Sequence, residues 1–295
     1  MSASSSNMAT SMVDPGRAAR VAFPNAKVNL GLQVRERRTD GFHELDSLFV
    51  PIPWCDTLEI VTPGSETGCT LHLHGDPVQG ETKDNLVHKA WALLADQHGL
   101  PAVDFHLIKS IPSGAGLGGG SADGAFALSL LDAHFELGLS TAELEAHAAT
   151  LGSDCPFFIL NTPARVTGRG EHIAPIDLRL AGWHIVLLNP GVHIPTAAAF
   201  GWITPHKDRP GLDAMAGSGP EAWCGHLLND FTAPAVERHP VIGEALQTLK
   251  EAGATFADMS GSGSTVFGFF REPPSPTLTA GLPPDWRSWT GRLPD

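Results

Sequence analysis

The sequence predicts an α+β protein built from two packed domains, and three observations carry that expectation. The chain has 295 residues, 42% of them hydrophobic, which is more apolar material than one small core consumes. Its first half reads as short strands in which apolar and polar residues alternate. In the middle, a strand, a glycine-rich loop and an Ala/Leu-rich helix follow one another directly.

Alternation around Lys27–Val34, Leu48–Ile52, Thr57–Val61 and Thr70–His74 marks half-buried strands. Asp84 is expected to cap a helix whose apolar stripe, Leu86, Val87, Ala90, Leu93 and Leu94, stops at Gly99 just before Pro101. Asp104–Ser110 alternates again as a strand, and Ser121 opens a helix through Phe126, Leu128, Leu130 and Leu131 towards Phe135. Ser140 and Glu143 have the spacing of a capping box and start a helix over Leu144–Leu151. A turn over Gly152–Pro156 follows, and from Phe157 the pattern turns strand-like, with Trp183–Leu188 suited to a buried strand. Asp208–Pro220 is rich in Gly and Pro and is expected to be an exposed loop. Beyond it a helix is expected over Val241–Glu251, then strands over Thr255–Met259 and Val266–Phe270 around a Gly261/Gly263 turn. The last 25 residues carry Pro273, Pro274, Pro276, Pro283 and Pro284 and cannot hold a long helix.

The net charge of −13 and the lack of basic clusters exclude nucleic acid as an expected partner. No apolar run is long enough to span a bilayer, so no membrane partner is expected either. An anionic ligand must therefore meet Lys27, Lys109 or backbone donors. Cys55, Cys69, Cys155 and Cys224 are far apart, without paired or metal-knuckle spacing, and are expected to be reduced packing residues of a cytoplasmic protein. Residues 1–20 are rich in Ser and Met and lack the apolar stretch of a secretory signal. They are expected to form a disordered tail, or an over-extended start with Met8 and Met12 as alternatives.

Between Gly114 and Gly120 five of seven residues are glycine. Such density marks backbone that a ligand approaches closely, and peptide N–H groups ahead of a helix N-terminus form a cradle for phosphate. Gly114, Gly116 and Gly119 satisfy the dinucleotide fingerprint, but the preceding strand is half-exposed and no later strand ends in an acid to hold a ribose. A Walker loop is excluded because no Gly-Lys-Ser/Thr closes the run. A flexible linker does not explain the framing strand and helix. His72 and His74 share a strand face and are expected to be exposed rather than ligands.

The run Pro112, Ser113, Gly114, Ala115, Gly116, Leu117, Gly118, Gly119, Gly120, Ser121 resembles the P-x-x-x-G-L-G-x-S-S/A motif of the GHMP small-molecule kinases. Asn25–Leu30 with Asp40–Leu45, Leu151–Phe158 and Met259–Ser264 are similar to the branch of that family acting on 4-diphosphocytidyl-2-C-methyl-D-erythritol. The resemblance spans about residues 21 to 270 in the family's order. It implies two α+β domains, an N-terminal ATP-binding domain over 21–163 and a C-terminal domain over 164–295, with the active site in the cleft between them. It implies a cytosolic kinase that uses ATP and Mg2+ to phosphorylate the 2-hydroxyl of that acceptor, in the non-mevalonate route to isoprenoid precursors.

Residue by residue, the resemblance makes Asp154 the acceptor of the hydroxyl proton with Lys27 beside it, and residues 112–121 the ATP loop. Phe42 would stack on cytosine where the family usually has Tyr, a residue this chain lacks altogether. His43 would hydrogen-bond the polar edge of the base, with Asn29, Thr196 and Phe200 also on the substrate side. Ser121 is the hydroxyl best placed to approach magnesium, and its protein ligands are left unassigned. Read without the resemblance, Asp154 is equally a turn residue, Lys27 a snorkelling strand residue and Phe42 core packing. Rival readings are a sibling kinase acting on homoserine, mevalonate or a sugar, and a binding protein on the same fold without activity. A homodimer is left open.

Overall fold

A computed structural model describes residues 19–61, 68–78 and 80–294, so the expected tail lies almost wholly outside the described residues. The N-terminal elements are β1 (Arg20–Ala22), β2 (Asn25–Arg37), β3 (His43–Cys55), β4 (Thr57–Val61), β5 (Cys69–Gly75), α1 (Leu86–His98), β6 (Val103–Lys109), α2 (Gly119–Phe135) and α3 (Thr141–Leu151). They are followed by α4 (Phe157–Leu160), β7 (Ala164–Gly168), β8 (His172–Pro175), β9 (His184–Asn189) and α5 (Thr196–Phe200). The chain ends with α6 (Thr232–Arg238), α7 (Pro240–Glu251), β10 (Phe256–Met259), β11 (Val266–Phe270), α8 (Thr277–Ala280) and β12 (Arg287–Arg292).

Three four-stranded sheets result, ordered β1-β4-β6-β5, β2-β3-β7-β8 and β10-β11-β9-β12, antiparallel except for the β5–β6 pair. The first sheet buries Leu58, Ile60, Phe105 and Leu107 against α1 and α2. The third buries Val186, Leu188 and Val266 against Ile242, Ala245 and Leu249 of α7. Between these layers runs β2, buried on both faces from Asn25 to Val34. Ala26, Val28 and Leu30 enter a central core with Leu48, Val50 and Ile52 of β3, while Lys27 and Asn29 point the other way, as the two-residue period requires. A bulge at Gly31, whose φ of 64° suits glycine, then turns Leu32 to the face of Lys27 and Asn29. There Leu32 takes a backbone hydrogen bond from Asp230 N and donates one to Leu228 O, which docks the C-terminal half on β2.

Several expectations are corrected. The α1 cap is Asn85, whose side chain accepts from Val87 N, and Asp84 lies in the 3-10 turn before it. Phe157–Leu160 is a single helical turn rather than a strand, because a short apolar run satisfies either geometry. The 208–220 segment is not wholly exposed: Leu212 is buried, and Arg35 donates to the carbonyls of Arg209 and Pro210 while ion-pairing with buried Asp46. The proline-rich C-terminus forms no long helix but does form β12, which pairs with β9 from Arg287 to Arg292. Cys155 is buried as a packing residue would be, whereas Cys224 is exposed. β7 begins at the boundary expected between 163 and 164 and pairs with β3, so hydrogen bonding crosses that boundary.

Candidate active site

Lys27 and Asn29 project from β2 into a cavity of about 620 Å³ at the junction of the two halves. Lys27 Nζ donates to Asn29 Oδ1 at 2.6 Å, stands 3.5 Å from Asp154 Oδ2 and lies 4.5 Å from the centre of the Phe49 ring. Burial pulls the Lys27 pKa below its ordinary value, and the Asp154 carboxylate opposes that shift. Asp154 itself is about one-third exposed, held in the turn between α3 and α4 so that its carboxylate opens into the cavity. The capping box starts α3, with Ser140 N donating to Glu143 Oε2 at 2.8 Å, and its stop at Gly152 sets this turn.

Asn29 links this pair to both glycine loops. Its backbone N–H donates to Ser260 Oγ at 3.2 Å, and Ser260 Oγ donates to Gly116 O at 2.7 Å. The first glycine loop is further pinned by Lys27 N to Leu117 O at 2.9 Å. Gly116 is needed because a Cβ there would collide with the Ser260 carbonyl, and Gly118 because one would meet Lys27 Cγ and Phe158 Cζ at 3.0 Å. Gly118, at φ 71°, caps α2 without a side-chain bond, leaving the N–H groups of Gly119, Gly120 and Ser121 without helical acceptors. A Cβ on Gly119 would press on Ile111, whereas one on Gly120 meets nothing within 4 Å. Gly120 is therefore the open side of the helix start.

At the other end of the cavity stand the aromatic residues. His43 stacks on Phe200 at 4.7 Å between ring centres and 12° between planes, and Phe200 meets Phe231 edge-on at 5.0 Å. Burial and the nearby Arg37 lower the His43 pKa, which favours a neutral ring with one donor and one acceptor nitrogen. Phe42 is 55% exposed at the mouth of the cavity, with the Arg169 guanidinium 4.6 Å from its ring centre. Thr196 Oγ1 lies 3.3 Å from Ser262 Oγ of the second glycine loop.

The cavity thus gathers Lys27, Asn29, Phe42, His43, Asp154, Thr196 and Phe200, with Gly116 and Gly118 of the glycine loop on its wall. Pro112, Ser113, Gly114, Ala115, Leu117, Gly119, Gly120 and Ser121 do not line it, and Ala115 and Leu117 turn into the core. Of the three donors expected for an anion, Lys109 lies outside the cavity lining. It is buried and paired with Asp56 and, at 2.7 Å, with Asp123. Asp56 also accepts from Ser110 N and Ile111 N, so this cluster fastens the glycine loop from beneath. Sequence reasoning missed Arg169, for which an isolated arginine in a turn gave no signal. It also left Ser260 and Ser262 out of the site, although the second glycine run made them readable.

The GHMP kinases N terminal domain model matches residues 85–162 and the GHMP kinases C terminal model matches 214–278. A 4-diphosphocytidyl-2-C-methyl-D-erythritol kinase of Bacteroides thetaiotaomicron is 46% identical over 251 residues, covering 85% of this chain and 92% of that protein. The chain belongs to the 4-diphosphocytidyl-2-C-methyl-D-erythritol kinase family. Its member from Parabacteroides distasonis is 43% identical and covers 92% of this chain and 99% of its own length. A crystal structure of a 4-(cytidine 5'-diphospho)-2C-methyl-D-erythritol kinase superposes with a TM-score of 0.77 at 33% identity over 94% of this chain and all of that one. The mevalonate kinase of Methanococcus jannaschii, at 13% identity and a TM-score of 0.65 over 95% of this chain and 100% of that one, shares the fold alone. The fold is the α+β GHMP kinase fold, with the cavity between its two halves.

Proposed function

We propose that this chain transfers the γ-phosphoryl group of ATP to the 2-hydroxyl of 4-diphosphocytidyl-2-C-methyl-D-erythritol, a step of the non-mevalonate route to isoprenoid precursors. The observation that carries this reading is the meeting of three parts in one cavity: the Phe42–His43 pair, the Lys27–Asp154 pair and the rim of the first glycine loop. The names of the relatives support the same acceptor.

In this reading Phe42 offers its ring face to the cytosine, and neutral His43 meets the polar edge of the base. Asp154 orients the 2-hydroxyl and takes its proton as the new O–P bond forms. The transition state is loose, so placing the oxygen in line matters more than the strength of the base. The Lys27 ammonium, fixed by Asn29, offsets negative charge gathering between Asp154 and the moving phosphoryl group. Residues 112–121 cradle the ATP phosphates, with the unpaired N–H groups of Gly119, Gly120 and Ser121 as donors.

Among the described residues, no three His, Cys, Asp or Glu side chains gather as a metal cage. That donor set fits a magnesium ion held chiefly by phosphate oxygens and water, with the Ser121 hydroxyl as the protein oxygen that would join them. Bound there, the ion would neutralise phosphate charge. Among the described residues no helix is long and apolar enough to cross a membrane, and the four unpaired cysteines support a cytoplasmic enzyme.

The test is purified protein with Mg-ATP and a panel of acceptors: the cytidine diphosphate compound, homoserine, mevalonate and galactose. ADP release with the first alone is expected. Turnover of a sibling acceptor at equal or greater kcat/KM would overturn the assignment.

A further inference from the structure

We infer that Arg169 binds the diphosphate that joins the two ends of the acceptor. The inference rests on the proposed acceptor and assigns a residue to the one part of it that has none so far. Arg169 stands in the turn between β7 and β8, with its guanidinium over Phe42, at the mouth of the cavity. Its neighbour Gly170 packs on the opposite end of the site: a Cβ on Gly170 would lie 3.2 Å from Ser153 Cβ and 3.7 Å from Asp154 Oδ1. One residue therefore lies over the ring that receives the base, and the next sits beside the turn whose carboxylate receives the hydroxyl. An acceptor reaching from Phe42 to Asp154 must pass Arg169.

What passes is a diphosphate, and the protein around it is acidic overall. The cavity offers two strong cations, Lys27 and Arg169. Lys27 is committed to Asn29 and Asp154. Arg169 makes no salt bridge among the described residues, and its guanidinium rests over the Phe42 ring. Asp40 and Glu171 are close enough to feel its charge, and both would repel a bare diphosphate. A planar guanidinium can swing from the ring face to clasp phosphate oxygens with two parallel N–H donors, leaving the ring to the base.

The test compares wild type with Arg169→Met and Arg169→Lys. Binding of cytidine and of CDP is measured by calorimetry, and steady-state kinetics are run with the full acceptor. Wild type is expected to bind CDP more tightly than cytidine. Arg169→Met should erase most of that difference and raise KM for the acceptor by about ten- to hundredfold, the scale of a lost charge-assisted hydrogen bond, while kcat and the KM for ATP stay within about twofold. Arg169→Lys should recover part of the loss, because it restores the charge without the fork. If Arg169→Met weakens cytidine and CDP equally, Arg169 merely props Phe42 and the inference falls. An unchanged KM for the acceptor overturns it as well. The CDP and cytidine pair reads Arg169 independently of turnover, so a wild-type enzyme that ignores the acceptor would overturn the proposed function by a separate result.

Discussion

At the scale of single residues, the proposed reaction rests on a buried ammonium and a half-buried carboxylate 3.5 Å apart. Asp154→Asn keeps the shape and hydrogen-bonding reach of that turn but cannot take a proton. It should lower kcat by about two to four orders of magnitude with ATP affinity unchanged, as stopped-flow turnover and ATP titration would record. Near-normal turnover would remove Asp154 from the reaction. Base recognition divides differently. His43→Ala should narrow the preference for the cytidine over the uridine form of the acceptor, because the two bases present different donors and acceptors, whereas Phe42→Ala should weaken both and Phe42→Tyr neither. The ratio of kcat/KM values for the two forms decides the point: an unaltered ratio in His43→Ala would place base reading elsewhere. Lys27, Asp154, Phe42 and His43, which the fold brings to one cavity, could be singled out in the sequence because each lies in a dense local motif. Lys109 stayed an open alternative in the sequence because a lysine beside a glycine loop looks the same whether it faces a ligand or, as here, Asp56 and Asp123 in the core.

At the scale of elements, the first glycine loop combines two uses of glycine that the sequence shows as one run. Gly116 and Gly119 let the loop pack on Ser260 and Ile111, while Gly120 faces open space at the start of α2. A valine at Gly120 should therefore leave the fold intact and raise KM for ATP by at least about tenfold by covering the helix donors, with the acceptor KM unchanged. Separate titrations of the two ligands check this, and an unchanged ATP affinity in the folded variant would mean that phosphates bind elsewhere. Strands such as β4 and β11 were readable to the residue, because alternation or an unbroken apolar run fixed them. The turn α4 was not, since Phe157–Leu160 is apolar and too short for its period to declare itself. β12 was hidden by the prolines around it, and only its pairing with β9 reveals it. Pairing between distant strands is information that a local pattern does not contain.

At the scale of the whole molecule, two buried carboxylates make stability depend on pH. Burial raises the Asp123 pKa to about 7, against the pull of Lys109, and that of Asp258 to about 6. Both groups hold a proton in the folded state at pH values where the unfolded chain has released it. Folded protein then binds more protons, so stability falls as pH rises from about 4 towards 7 through these two groups. Asp123→Asn should flatten the upper part of that fall in urea titrations across the range, and a fall of unchanged slope would show that Asp123 ionises freely in the fold. The same packing that buries these groups closes the two halves of the chain around one cavity, where an acceptor and ATP would meet. Phosphorus NMR of a reaction with Mg-ATP and 4-diphosphocytidyl-2-C-methyl-D-erythritol reads that meeting directly. The expected spectrum shows ADP and a new phosphomonoester on the 2-hydroxyl in equal amounts, with the acceptor diphosphate intact. ADP with free phosphate and no such ester, or an ester at another hydroxyl, would contradict it.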